Sequence, residues 1–242
     1  MVERFLVALA LVGLVDAMSY MAVTPSLIFY VLEVGGNKEQ YGIIMSAFSF
    51  ASFCAKPFLG HWSDAHGFRL PYSIALCIAS LGGVLYFFAS AFHGMPAVAM
   101  IFAGRILGGV GSGSATLAFA YMAKAVPHDR QTQINSTLSM VRILGMAAGP
   151  GLNVVLGSID TTWYGLTVNK LNSVGILLVT ANLLALAVIL NLLEEPSVDY
   201  SVHHAGDPSK KRGWKTVFKS LFCLAIIVPI LSIFTFNANF QL

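Results

Sequence analysis

The chain has 242 residues, of which 57% are hydrophobic and only 10% charged, with a formal net charge of +3. A soluble domain carries about 25% charged residues, so this chain has too few polar groups to cover its own surface in water. A bilayer makes no such demand, so the composition excludes an ordinary soluble domain and implies an integral membrane protein. The three cysteines, Cys54, Cys77 and Cys223, all fall inside apolar runs. They read as small buried hydrophobes rather than as a disulfide framework or a metal site.

The first apolar run reaches from Phe5 to about Val31 and contains Asp16. It is too long for a signal peptide and reads as a retained first transmembrane helix. Runs near residues 5–31, 41–60, 71–92, 97–123, 133–157, 174–193 and 220–240 can each supply the twenty or so helical residues that a bilayer needs. None alternates with a strand's period, which argues for helices over a β-barrel. The expected fold is all-α: a polytopic bundle of about seven transmembrane helices.

The basic residues orient this bundle. With the N-terminus cytoplasmic, Arg4, Arg69, Lys124, Arg130, Lys210, Lys211, Arg212, Lys215 and Lys219 lie on the cytoplasmic side and only Lys38 and Lys170 opposite. Trp62, Trp163 and Trp214 fall near span ends, where an indole keeps its ring in hydrocarbon and its N–H in water. The segment from Glu194 to Gly213 is linker-like. The expected domains are a six-helix bundle (1–196), a cytoplasmic linker (197–213) and a seventh helix (214–242). His203-His204 lacks further ligand spacing for a metal. Lys210-Lys211-Arg212 suits anionic headgroups, and nucleic acid is not an expected partner.

Three charges fall deep in the spans. Asp16 is about twelve residues into the first, Arg105 about eight into the fourth and Arg142 about ten into the fifth, which puts them at similar heights. The third and sixth spans carry no charge and are expected to face lipid, with the charged spans around a shared interior. An ionised group in the bilayer core costs several kcal/mol unless it faces water or a partner. Arg105 shares a helix face with Gly109, Ser112 and Thr116, Arg142 one with Asn135, Ser139 and Gly149, and Asp16 is followed by Ser19 and Tyr20. Such stripes read as the lining of an aqueous cavity. The competing reading is a purely structural ion pair, and it leaves one arginine over. Two arginines against one aspartate favour an anion, which arginine can grip bidentately. The candidate binding residues are Asp16, Tyr20, Arg105, Ser112, Ser139 and Arg142. Lys56, one turn before a polar hinge, is expected to snorkel to the cytoplasmic surface.

That hinge, Gly60-His61-Trp62-Ser63-Asp64-Ala65-His66-Gly67-Phe68-Arg69, joins the second and third spans. Gly60 and Gly67 permit close packing and a tight turn, and Asp64 is expected to pair locally with Arg69 or Arg130. Gly104/Gly108, Gly109/Gly113 and Gly145/Gly149 are small-xxx-small pairs that let helices approach closely. Pro150 is expected to kink the fifth span.

Together these residues resemble the major facilitator superfamily of secondary transporters. Gly60, Asp64, Gly67 and Arg69 resemble its loop signature between helices two and three, with departures at Ala65 and Phe68. Arg105, Gly109 and Gly111 resemble its helix-four signature, and Gly145, Gly149 and Pro150 the first half of its helix-five antiporter signature. Asp16 with Pro25 resembles the helix-one motif of proton-coupled antiporters. The run from Gly104 to Gly113, the stretch around Leu144 to Pro150 and the longer loop from Ser158 to Ser173 are most similar to the lysosomal ceroid-lipofuscinosis-type and vacuolar SPX-type phosphate transporter branch.

The resemblance implies alternating access by twelve helices in two halves, no enzymatic activity and no cofactor. It also implies a small solute, with an anion and proton coupling as the finer expectations, and a lysosomal or vacuolar membrane. Residues 1–196 correspond to the first half, and the expected partner is the missing second half or another copy. A truncated or accessory protein that does not transport, and an anion channel, are the alternatives.

Overall fold

A near-continuous apolar sequence makes helix formation in lipid almost obligatory, because every backbone N–H and C=O must be satisfied within its own segment. In the computed structural model, residues 2–156, 161–163, 166–168 and 171–196 are described. They belong to one compact unit, Met1–Tyr200. The helices are α1 (Val2–Glu33), α2 (Lys38–His66), α3 (Arg69–Phe88), α4 (Met95–Ser112), α5 (Ala115–Ala125), α6 (His128–Leu156) and α7 (Ser173–Leu192). Together they give six segments long and apolar enough to cross a membrane, α4 and α5 forming one of them. The six spans expected up to residue 193 are all present. The expected seventh span at 220–240, the linker and its basic run lie outside the described residues.

The local signals act where chemistry requires them. Asn37 and Gln40 form a reciprocal capping box at the start of α2, with bonds of 2.8 and 2.9 Å. The fourth span is not one continuous helix as expected. At Gly113 and Ser114 the bonds tighten to the i−3 pattern, Gly113 N–H to Val110 O at 3.1 Å and Ser114 N–H to Gly111 O at 3.0 Å. The run Gly111-Ser112-Gly113-Ser114 has poor helix propensity, which accounts for the break. Pro150 lies inside α6, and the helix continues through it to Leu156. The longer loop after α6 contains a short antiparallel hairpin, β1 (Thr161–Trp163) with β2 (Leu166–Val168), in which Thr162 faces Thr167.

α1 packs on α6 and α7, α3 on α4 and α7, and α2 on α4. Two apolar clusters fill the interior toward opposite ends. One gathers Phe5, Leu9, Leu59, Phe68, Tyr121 and Ile189, the other Val23, Tyr30, Ile44, Tyr86, Ile101 and Val174. Asp16 and Arg105 fall between these clusters along their helices.

Two expectations need correction. The third span is the most buried of the six and the fifth the least. One face of α3, with Tyr72, Ala75, Leu76, Ala79 and Tyr86, packs inside, while Leu81 and Phe88 on its other face are exposed. A purely apolar helix fits protein and lipid equally well, so the lack of charge could not say which it would meet. Cys54 and Cys77 are likewise exposed on the bundle surface rather than buried.

Candidate functional site

α1, α2, α3 and α4 come together around Arg105. Its side chain is only 3% exposed. The guanidinium carbon stands 4.1 Å from the centre of the Phe48 ring, a close cation–π contact in a desolvated place. Among the described residues no carboxylate pairs with it, and its Nε and Nη2 find no hydrogen-bond partner. It lines a small space, about 40 Å³ open to water-sized occupants, shared with Asp16, Ser19, Tyr20, Phe48 and Ser112. Tyr20 stacks at 5.5 Å on Phe48. The Ser112 hydroxyl is engaged, 3.0 Å from both Ser52 Oγ and the Gly109 carbonyl.

Asp16 pairs with the other arginine. Arg142 Nη2 lies 3.6 Å from Asp16 Oδ2, and both side chains are about one third exposed, 32% and 28%. A second space of about 30 Å³ adjoins this pair, lined by Ser139, Ser114 and Tyr72 among others. Asp16 and Ser114 line both spaces. Lys56 was expected at the cytoplasmic surface. It is exposed on α2. Among the described residues, these two spaces thus hold two arginines against one carboxylate.

The glycines of the sequence stripes divide by role. A Cβ on Gly145 would meet the Leu14 carbonyl oxygen at 2.5 Å, and one on Gly149 the Met18 carbonyl oxygen at 2.8 Å. Both therefore seat α6 against α1. Gly149 does not line the Arg142 space as its stripe suggested.

The hinge forms a clamp at one end of the bundle. Asp64 pairs with Lys124 Nζ at 2.8 Å, not with Arg69 or Arg130. Lys124 also lies 5.3 Å from the Phe68 ring, and Phe68 is buried edge-on against Tyr121 at 5.1 Å. Arg69 instead donates to the Leu190 carbonyl at the end of α7. Gly60 has no closer neighbour than Thr116 at 4.0 Å, so its lack of a side chain is not forced by packing. Gly67 has φ +77°, which favours glycine, and a Cβ there would meet the Glu195 carboxylate at 2.7 Å.

Glu195 accepts from the Phe68 N–H at 2.8 Å and the Arg69 N–H at 2.9 Å, placing a negative charge on the α3 N-terminus. Glu195→Gln is expected to cost about 0.5–2 kcal/mol, as other N-terminal caps do. Gly67→Ala should cost at least as much. Melting temperatures in detergent measure both, and an unchanged value for Glu195→Gln would remove the clamp from this account.

Sequence reasoning placed Ser19 in the cavity lining, where it is found, but missed Phe48, Lys124 as the partner of Asp64, and Glu195. Phe48 is one aromatic in an apolar run and carries no signal. Glu195, just before Pro196 at a helix end, could have been read as a residue free to fold back.

A bundle of six membrane-spanning helices with charge held between them is the class of architecture that secondary transporters use. The chain matches the sequence model of the Major Facilitator Superfamily over residues 9–242, and it belongs to that family. An SPX domain-containing membrane protein of Oryza sativa subsp. japonica is 28% identical over 176 residues, which are 73% of this chain and 24% of the rice protein. The bacillibactin exporter of Bacillus subtilis (strain 168) is 28% identical over 160 residues, 66% of this chain and 39% of the exporter. A D-xylose-proton symporter superimposes with a TM-score of 0.67 at 18% identity, over 81% of this chain and 49% of the symporter. That likeness speaks to the fold alone. This chain spans less than half the length of each of these proteins.

Proposed function

We propose that the protein acts in secondary transport of a small anionic solute by alternating access, with the solute's charge received at Arg105. One observation carries the reading: Arg105 is buried, faces an interior space and lacks a carboxylate partner among the described residues. A purely structural network would neutralise such a charge, because an unpaired buried ion is costly. Arg142 has the different task of holding Asp16. Protonation of Asp16 would release Arg142 toward the same interior and couple solute movement to a proton gradient. A cytoplasmic N-terminus, a lysosomal or vacuolar membrane, and completion of the site by a second bundle belong to the same proposal. They rest on the distribution of basic residues and on the family resemblance.

The test is uptake of labelled inorganic phosphate and labelled chloride into proteoliposomes. Wild-type protein should accumulate at least one of the two. Arg105→Ala should abolish that uptake, and Arg142→Ala should reduce it and remove its response to a pH gradient. Uptake that survives unchanged in both variants would overturn the charge assignment.

A further inference from the structure

Two buried Arg105 nitrogens, Nε and Nη2, find no partner among the described residues. They are adjacent on one edge of the guanidinium, and their N–H bonds run parallel. This is the edge that meets a carboxylate, nitrate or phosphate in a two-point contact, whereas a monatomic ion can use only one point of it well. The rest of the group is held in place. Phe48 covers one face at 4.1 Å, and Tyr20 backs Phe48. The Ser19 hydroxyl lines the same space, is 7% exposed, and also lacks a partner among the described residues. Ser112, by contrast, already has bonds to Ser52 and Gly109. Asp16 shares the space, but Arg142 pairs with it at 3.6 Å. The space measures about 40 Å³ and is partly open at its mouth.

From these features we infer that the Arg105 pocket is a selective site for an oxyanion that presents two oxygens side by side, such as a carboxylate, nitrate or phosphate, gripped by the Nε–Nη2 edge with Ser19 donating beside it. This rests on the reading of the cavity as an anion site and narrows it from anions in general to those with two adjacent oxygens. The group can arrive as a free small anion or as the carboxylate head of a larger solute. In the second case the tail must extend out of the small space.

The experiment uses the full chain in nanodiscs, with calorimetric titration of sodium nitrate, acetate, benzoate and chloride at constant ionic strength. Nitrate and acetate should bind about tenfold or more tightly than chloride, the factor that one charge-assisted hydrogen bond confers. Arg105→Lys keeps the charge and removes the two-point edge. It should erase the preference over chloride while leaving the melting temperature close to wild type. Ser19→Ala, a milder change, should weaken nitrate and acetate several-fold and leave chloride unchanged. Acetate and nitrate without benzoate mark a free small anion, and benzoate binding as well as acetate marks the head of a larger solute.

Equal binding of chloride, or a preference that persists in Arg105→Lys, would overturn the inference. So would binding of none of the four anions. Parallel uptake measurements separate this from the transport reading. Selective binding without movement would leave the site standing and sink transport. Movement of chloride with no preference for the oxyanions in binding would do the reverse.

Discussion

Gly109→Leu is expected to prevent the bundle from assembling. A Cβ at this position would collide with the Phe48 carbonyl oxygen and stand 3.0 Å from the Ala51 side chain. The nearest obstacle is backbone, which cannot rotate away as a side chain can. Overpacking a well-filled interior costs about 1–3 kcal/mol, and a leucine against a backbone carbonyl should reach or exceed the top of that range. Proteins have only about 5–15 kcal/mol in hand. Forcing α2 and α4 apart would also move Phe48 off Arg105. Gly151→Ala is the control, because nothing lies within 4 Å of a Cβ there. Size-exclusion profiles and melting temperatures in detergent should separate the two. A Gly109→Leu variant as stable as Gly151→Ala would show that α2 and α4 do not approach as described.

Asp16→Asn should have the second large effect, on coupling rather than on assembly. It removes the carboxylate that holds Arg142 at 3.6 Å. Breaking a deeply buried pair costs about 3–5 kcal/mol, but these side chains are about one third exposed, so solvent should reduce the penalty to about 1–2 kcal/mol. The protein should therefore still fold. Uptake driven by a pH gradient should fall at least tenfold, whereas exchange of labelled for unlabelled anion at equal pH should continue. The double variant Asp16→Asn with Arg142→Gln tests whether the two residues act together. Its effect on stability should be smaller than the sum of the single effects. Gradient-driven uptake that persists in Asp16→Asn would take proton coupling away from this residue.

Much of this could be read from the sequence, and the reasons are physical. Spans are legible because the bilayer sets their length and forbids exposed backbone polarity. The three interior charges are legible because lipid makes each of them expensive. The depth estimate also placed Asp16 and Arg142 at matching heights, and they are in fact partners.

Pairing and facing were less legible, because they depend on the rotation of each helix. An apolar run does not reveal that α3 turns one face to Arg105's surroundings and the other outward. Asp64 had three basic residues within reach of its end of the bundle. The choice of Lys124 depends on how α5 begins after the break at Gly113 and Ser114, which the composition of a single span conceals. Glu195 lies more than 120 positions from the N–H groups it accepts from, and no local pattern joins them.

The central claim is that the space beside Arg105 opens to each side of the membrane in turn and attracts negative charge. Cysteine labelling tests this most directly. With Cys54, Cys77 and Cys223 replaced by serine, Ser112→Cys would be treated with membrane-impermeant thiol reagents from each side of sealed vesicles. The account predicts reaction from both sides, faster with an anionic sulfonate reagent than with a cationic ammonium one, and slowed by the bound anion. Failure to react from either side, or reaction from one side only with no charge preference, would mean that Arg105, Asp16 and Arg142 form a static network.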